Sequence, residues 1–400
     1  MLAHSPPLPL IIDHLAQEHD VTAKDEEWML LALRQRDRVR RIRIVIPIQD
    51  ILKLAATMNK EFPMLEHLDI SLRKDDSNVT FTLPETFRAP RLRHLLLWNF
   101  AFSITSPILT TSTGLITLSL EGISASAYFS PSDLLKQLSS MPQLETLGIS
   151  FYYPIPNTDA RSQLLQMPAV THVSLPNLRW FGFGGMSAYL EALLPQLSTP
   201  RLEKLQIWFF SQPFYPVPHL LQSLGTAANI RFSSASLMFH QTSVSLTAYP
   251  HVVARIYAFD LRVSCRDRDL QVVFLAEILN GLREKLSSVE HLSLEYKRYS
   301  LPEMWDDEVY RRIQWRKVLG LFNNVKTLLV SDGLIRDLSA SLQSDDGESS
   351  FGLLPELKEL QYQTHCDASD VLAFAPFIKS RQDSGRPVIL VNQQTRLALR

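Results

Sequence analysis

Apolar residues recur along this chain in one form, apolar-x-x-apolar-x-apolar, and such a repeat bears on the architecture before anything else does. It reads Leu65/Leu68/Ile70 and Leu92/Leu95/Leu97, then Leu144/Leu147/Ile149, Leu178/Phe181/Phe183, Leu202/Leu205/Ile207 and Leu357/Leu360/Tyr362. In these six copies a proline stands two places ahead, at Pro63, Pro90, Pro142, Pro176, Pro200 and Pro355. Four more copies lack it: Val39/Ile42/Ile44, Leu115/Leu118/Leu120, Val289/Leu292/Leu294 and Val325/Leu328/Val330. The last two apolar positions lie two residues apart and so share one face of a strand, while the first falls where the chain is still turning into it. Proline has no N–H to give, so it belongs at the start of a strand rather than inside the ladder.

Between copies the pattern turns helical. Ser130-Pro131-Ser132-Asp133 offers cap chemistry ahead of Leu134 and Leu135. Helical spacing is also predicted over Gln49–Asn59, Ser187–Leu194, His219–Leu224, Asp269–Leu286, Trp305–Leu321 and Ser369–Lys379, the last kinked or shortened by Pro376. One strand and one helix or irregular arc per repeat, buried only by stacking on its neighbours, is a solenoid. The expectation is therefore an α/β fold, a curved parallel sheet with helices or irregular arcs on its outer side. A single solenoid over 21–400 is expected behind a Pro-containing N-terminal tail, residues 1–20. Residues 229–265 read as an irregular, strand-rich stretch within it, and Gln343–Ser350 as an exposed loop. A C-terminal cap over about 366–400 includes a closing strand at Pro387–Val391.

These L-x-x-L-x-L cores resemble leucine-rich repeats. More narrowly, Pro200-Arg201-Leu202-Glu203-Lys204-Leu205, Val289-Glu290-His291-Leu292 and Leu357-Lys358-Glu359-Leu360 resemble the repeat region of fungal F-box proteins. That resemblance implies substrate selection for a cullin-type ubiquitin ligase. The family carries an F-box ahead of its repeats, and none is recognisable before Val39; Leu8-Pro9-Leu10-Ile11-Ile12 resembles its opening only in part.

Composition narrows the classes. The 400 residues exceed the ~250–300 at which one ordinary core stops growing, which suits a repeat array. At 46% hydrophobic and 20% charged the chain can bury enough to fold. A net charge of -1 gives no global attraction to nucleic acid or to an anionic membrane. Cys265 and Cys366 alone make neither a disulfide scaffold nor a zinc module, and the expected setting is cytoplasmic or nuclear. No secretory signal or membrane-length apolar run is read, so Asn78-Val79-Thr80 is taken as an accidental glycosylation match.

Chemistry-bearing motifs are few. Gly182-Phe183-Gly184-Gly185 lacks the residues of a phosphate loop and reads as a turn leaving a strand. His365-Cys366-Asp367 has nucleophile-like residue types, but adjacent strand residues alternate direction and cannot form a triad among themselves. No enzyme, cofactor or metal is expected. Arg34, Arg36, Arg38, Arg40, Arg41 and Arg43 form the strongest charge run, read first as a solvated face with acidic neighbours. Strand positions opposite the core leucines would line the open side of the sheet. There Trp98, Trp180 and Trp208, with Lys204, Glu121, His291 and Glu295, are the candidate partner-binding residues. The expected role is non-enzymatic protein recognition on the sheet face. Alternatives are a nucleic-acid or acidic-partner binder through Arg34–Arg43, or an unrecognised enzyme.

Overall fold

A computed structural model describes residues 8–15, 21–73, 81–152, 172–212, 217–254, 256–297, 308–343, 352–363 and 371–392. The Asn78, His365-Cys366-Asp367 and Trp305 readings, and nearly all of the Gln343–Ser350 loop, lie outside them. The chain is mixed α/β, its strands mostly parallel, and divides into two compact units, Met1–Leu202 and Glu203–Arg400.

The first unit contains β1 (Leu10–His14), β2 (Val39–Pro47), β3 (His67–Arg73), β4 (His94–Trp98), β5 (Thr117–Ile123), β6 (Thr146–Phe151), β7 (Val173–Ser174), β8 (Trp180–Gly185) and β9 (Leu197–Ser198). Its main sheet runs β1-β2-β3-β4-β5-β6-β8, every neighbouring pair parallel. A short parallel pair, β7 and β9, stands apart. Parallel neighbours need a crossover, and here these carry helices such as Ile48–Met58, Pro131–Leu138 and Ser187–Leu193. Ser130 caps its helix as expected, accepting from Asp133 N at 3.2 Å while Asp133 Oδ2 accepts from Ser130 N at 3.2 Å.

The second unit contains β10 (Lys204–Phe209), β11 (Ser234–His240), β12 (Ser243–Tyr249), β13 (Phe259–Ser264), β14 (His291–Tyr296), β15 (Thr327–Ser331), β16 (Glu359–Gln363) and β17 (Ile389–Asn392). Its order is β10-β13-β12-β11-β14-β15-β16-β17. The strand-rich stretch read at 229–265 supplies β11, β12 and β13, and β12 runs antiparallel to both neighbours. Two reversals restore the direction, so β13 is parallel to β10 and β11 to β14. Pro376 lies in the first turn of the helix Ala375–Asp383, where its missing N–H would be unpaired anyway, so it starts that helix rather than kinking it.

The repeat positions form the core. All three apolar positions of every copy are buried, Tyr362 excepted at intermediate exposure. Adjacent copies stack position on position: Ile42, Leu68, Leu95, Leu118, Leu147 and Phe181 are successive register partners, as are Leu292, Leu328 and Leu360. In all six proline-bearing copies the first apolar residue donates its N–H to the carbonyl three residues before it: Leu65 to Phe62, Leu92 to Ala89, Leu144 to Met141, Leu178 to Leu175, Leu202 to Thr199 and Leu357 to Leu354. The proline is thus the second residue of a tight turn, where its fixed φ is already correct. It stands ahead of the strand and loses no ladder bond.

Candidate functional site

Alternation on each strand sends the residues between the buried positions to the opposite face. In the first unit these form transverse rows set by register. The first is Arg41, His67, His94, Thr117, Thr146 and Trp180; the second is Arg43, Asp69, Leu96, Ser119, Gly148 and Gly182. A third holds Val45, Ser71, Trp98 and Glu121. Trp98 is 52% exposed, and Glu121 opposite it accepts from Ser119 Oγ at 2.9 Å.

Trp180 is held differently. Its ring lies over Gly182 and reaches Gly148: a Cβ at Gly182 would meet the indole at 2.4 Å, and one at Gly148 at 3.2 Å. These glycines are paired across β6 and β8, so two bare positions on adjacent strands make the space the ring occupies. This corrects the reading of Gly182–Gly185 as a turn. The cluster is strand, and Gly184 and Gly185 pack in the same close fashion on Ser150 and on Phe183 and Phe151.

At the amino-terminal end of this unit much of the arginine run is engaged within the chain. Arg40 pairs with Glu66 at 2.9 Å and Arg43 with Asp69 at 3.2 Å, Arg36 lies 3.9 Å from Asp37, and Arg38 donates to the Leu8 carbonyl. Arg41 has no ion-pair partner among the described residues, and its Nε is covered with no acceptor. Beside it the His67 and His94 rings lie 5.2 Å apart, and His94 Nδ1 is 3.0 Å from Thr117 Oγ1. Burial, chiefly, and then the charge of Arg41 hold His67 below the ordinary histidine value. For His94 burial again dominates, followed by Arg93 and Arg41. No three His, Cys, Asp or Glu side chains among the described residues are placed to share a metal ion.

In the second unit Trp208 is 45% exposed yet fixed at several points. Its Nε1 donates to Ser264 Oγ at 2.9 Å, the Arg262 guanidinium lies 5.7 Å from the ring centroid, and Phe210 meets it edge-on. Arg262 is in turn held by Ser243 Oγ at 3.1 Å. Gln206, next on that face, accepts from the Tyr257 hydroxyl at 2.8 Å. Asp260 accepts from Thr247 at 2.8 Å, and burial raises its carboxyl above the usual range despite that bond. Glu295 accepts from Ser293 and Ser236 at 2.8 and 3.3 Å. Lys204 opens β10 and His291 opens β14, both half-buried. Three strands of the 229–265 stretch stand between β10 and β14, so Lys204 and Trp208 do not adjoin His291 and Glu295. Asp260, Arg262 and Ser264 also lie on this face, outside the candidate set above, and the alternation Phe259-Asp260-Leu261-Arg262-Val263-Ser264 is the signal for them.

Compared with known proteins, the chain matches no family model and no curated protein.

Proposed function

We propose that this chain is a leucine-rich-repeat solenoid whose sheet face recognises another protein without catalysing a reaction. The observation that carries the reading is the exposure of Trp98 and Trp208 on strands whose alternate residues are all buried. A folded chain gains nothing from large aromatic surface left in water, whereas a partner that covers it gains area with little loss of side-chain freedom. The stacked repeat positions and the recurrent proline turn support the solenoid. The resemblance to fungal F-box repeats extends the proposal to substrate recognition for a ubiquitin ligase. Nucleic-acid binding has less support, because Arg36, Arg38, Arg40 and Arg43 all have partners within the chain.

Purification of the tagged chain, identification of a co-purifying protein and measurement of its Kd test the reading. Trp98→Ala or Trp208→Ala is expected to cost ~2 kcal/mol of binding, about thirtyfold in Kd, with an unchanged melting temperature for Trp98→Ala and a small decrease for Trp208→Ala, which loses the Ser264 and Arg262 contacts. Unchanged affinity in both variants contradicts it. Recovery of the ligase's adaptor subunit supports the ubiquitin role; a partner without that adaptor removes the ubiquitin role and leaves recognition standing.

A further inference from the structure

We infer that Arg41, His67 and His94 form a receiving site for the carboxylates of an acidic peptide segment, tightening as pH falls. The inference rests on the sheet-face reading and names the chemistry of one part of that face. Three parallel strands bring these residues into one register row, Arg41 to His67 to His94. Among the described residues, Arg41 is the one arginine of strand β2 without a carboxylate beside it, since Arg40 and Arg43 face Glu66 and Asp69. A guanidinium with a covered Nε and no counter-charge gains from an arriving anion more than a fully hydrated one does.

The histidines complete the site. His94 Nδ1 shares a hydrogen bond with Thr117 Oγ1, and in the tautomer where Thr117 donates, the neutral ring carries its proton on Nε2 and presents a donor to the ligand. The charged groups around the pair are Arg41 and Arg43 of β2, Asp69 of β3, Arg93 just before β4, and Glu66 and Glu145 just before β3 and β6. Burial leads the balance toward neutral rings near pH 7, so Arg41 supplies the charge at rest. A bound carboxylate favours imidazolium, so binding takes up protons and strengthens as pH falls below the ordinary value of 6.5. An acidic peptide fits better than a phosphate backbone. Asp13, Asp69 and Glu121 share this face and oppose a continuous run of phosphates, while Leu96 and Trp98 in the next two rows offer apolar contact to side chains between carboxylates.

The test uses the full chain and a fluorescent acidic peptide, Glu-Ala-Glu-Leu repeated twice, followed by anisotropy at low salt. Affinity is expected to rise about tenfold between about pH 7.5 and about pH 5.5, and Arg41→Gln to weaken binding about tenfold at both. The double variant His67→Gln/His94→Gln should bind at the higher pH and lose the pH dependence, while Arg34→Gln, on a helix end, changes nothing. Arg41→Lys keeps the charge and serves if Arg41→Gln does not fold; it is expected to lose less. Absence of peptide binding, or binding indifferent to Arg41→Gln and Arg41→Lys, overturns the inference. So does tighter binding of a thymidine oligonucleotide of equal charge through the same residues. If the peptide fails while Trp98→Ala and Trp208→Ala still weaken the co-purified partner, the Arg41 site falls and the sheet-face reading stands.

Discussion

The indole of Trp180 fills space that only glycine leaves open. A methyl group at residue 182 would sit 2.4 Å from the ring, so Gly182→Ala must drive the indole off the sheet. The expected cost is about 1–3 kcal/mol, as for other overpacked sites, read as a lower urea midpoint together with redder tryptophan emission. Gly114→Ala, with nothing within 4 Å, should leave both unchanged. The histidine pair makes a second prediction. His67 and His94 have folded values below 6.5, so the unfolded chain binds protons first as pH falls. Their stabilisation is complete above about pH 6.5 and is lost as pH drops through the lower folded values. Melting temperature should therefore decline over that window, and the decline should be shallower in His67→Gln/His94→Gln. Equal slopes would contradict the burial of the neutral rings.

At the scale of the element, each strand depends on its neighbours for burial. Leu147 and Leu205 are almost wholly enclosed, and Leu147→Ala or Leu205→Ala should cost ~2–5 kcal/mol. Unchanged unfolding midpoints would contradict that burial. Ser130→Ala removes one half of a capping box and should cost ~1 kcal/mol. Much at this scale is legible in the sequence. The spacing three-then-two marks the turn and the buried face at once, and both appear where Pro90 and Leu92 place them. Strand direction is not legible, because alternation of apolar and polar residues reads the same both ways. Val244, Leu246 and Ala248 on β12 are as buried as Leu292 and Leu294 on β14, yet β12 runs opposite to its neighbours. The Trp180 site escapes the sequence for a related reason. It depends on Gly148 and Gly182 being opposite each other, a relation between strands more than thirty residues apart in the chain.

At the scale of the whole molecule, each unit uses one face of its strands for burial and leaves tryptophan, charged and polar side chains on the other. The outward tryptophans were legible from alternation alone, whereas their support was not. Trp208 is held by Ser264 and Arg262, and β13, which carries both, is reached only after the β11–β12 hairpin. A ring held this way loses little freedom when a partner covers it. The most direct measurement is therefore the affinity of the co-purified partner for Trp208→Ala alongside the variant's melting temperature. The account predicts a Kd weakened about thirtyfold in a variant that still melts cooperatively, only slightly below wild type through loss of the Ser264 and Arg262 contacts. Unchanged affinity in a normally folded variant would contradict recognition at this face.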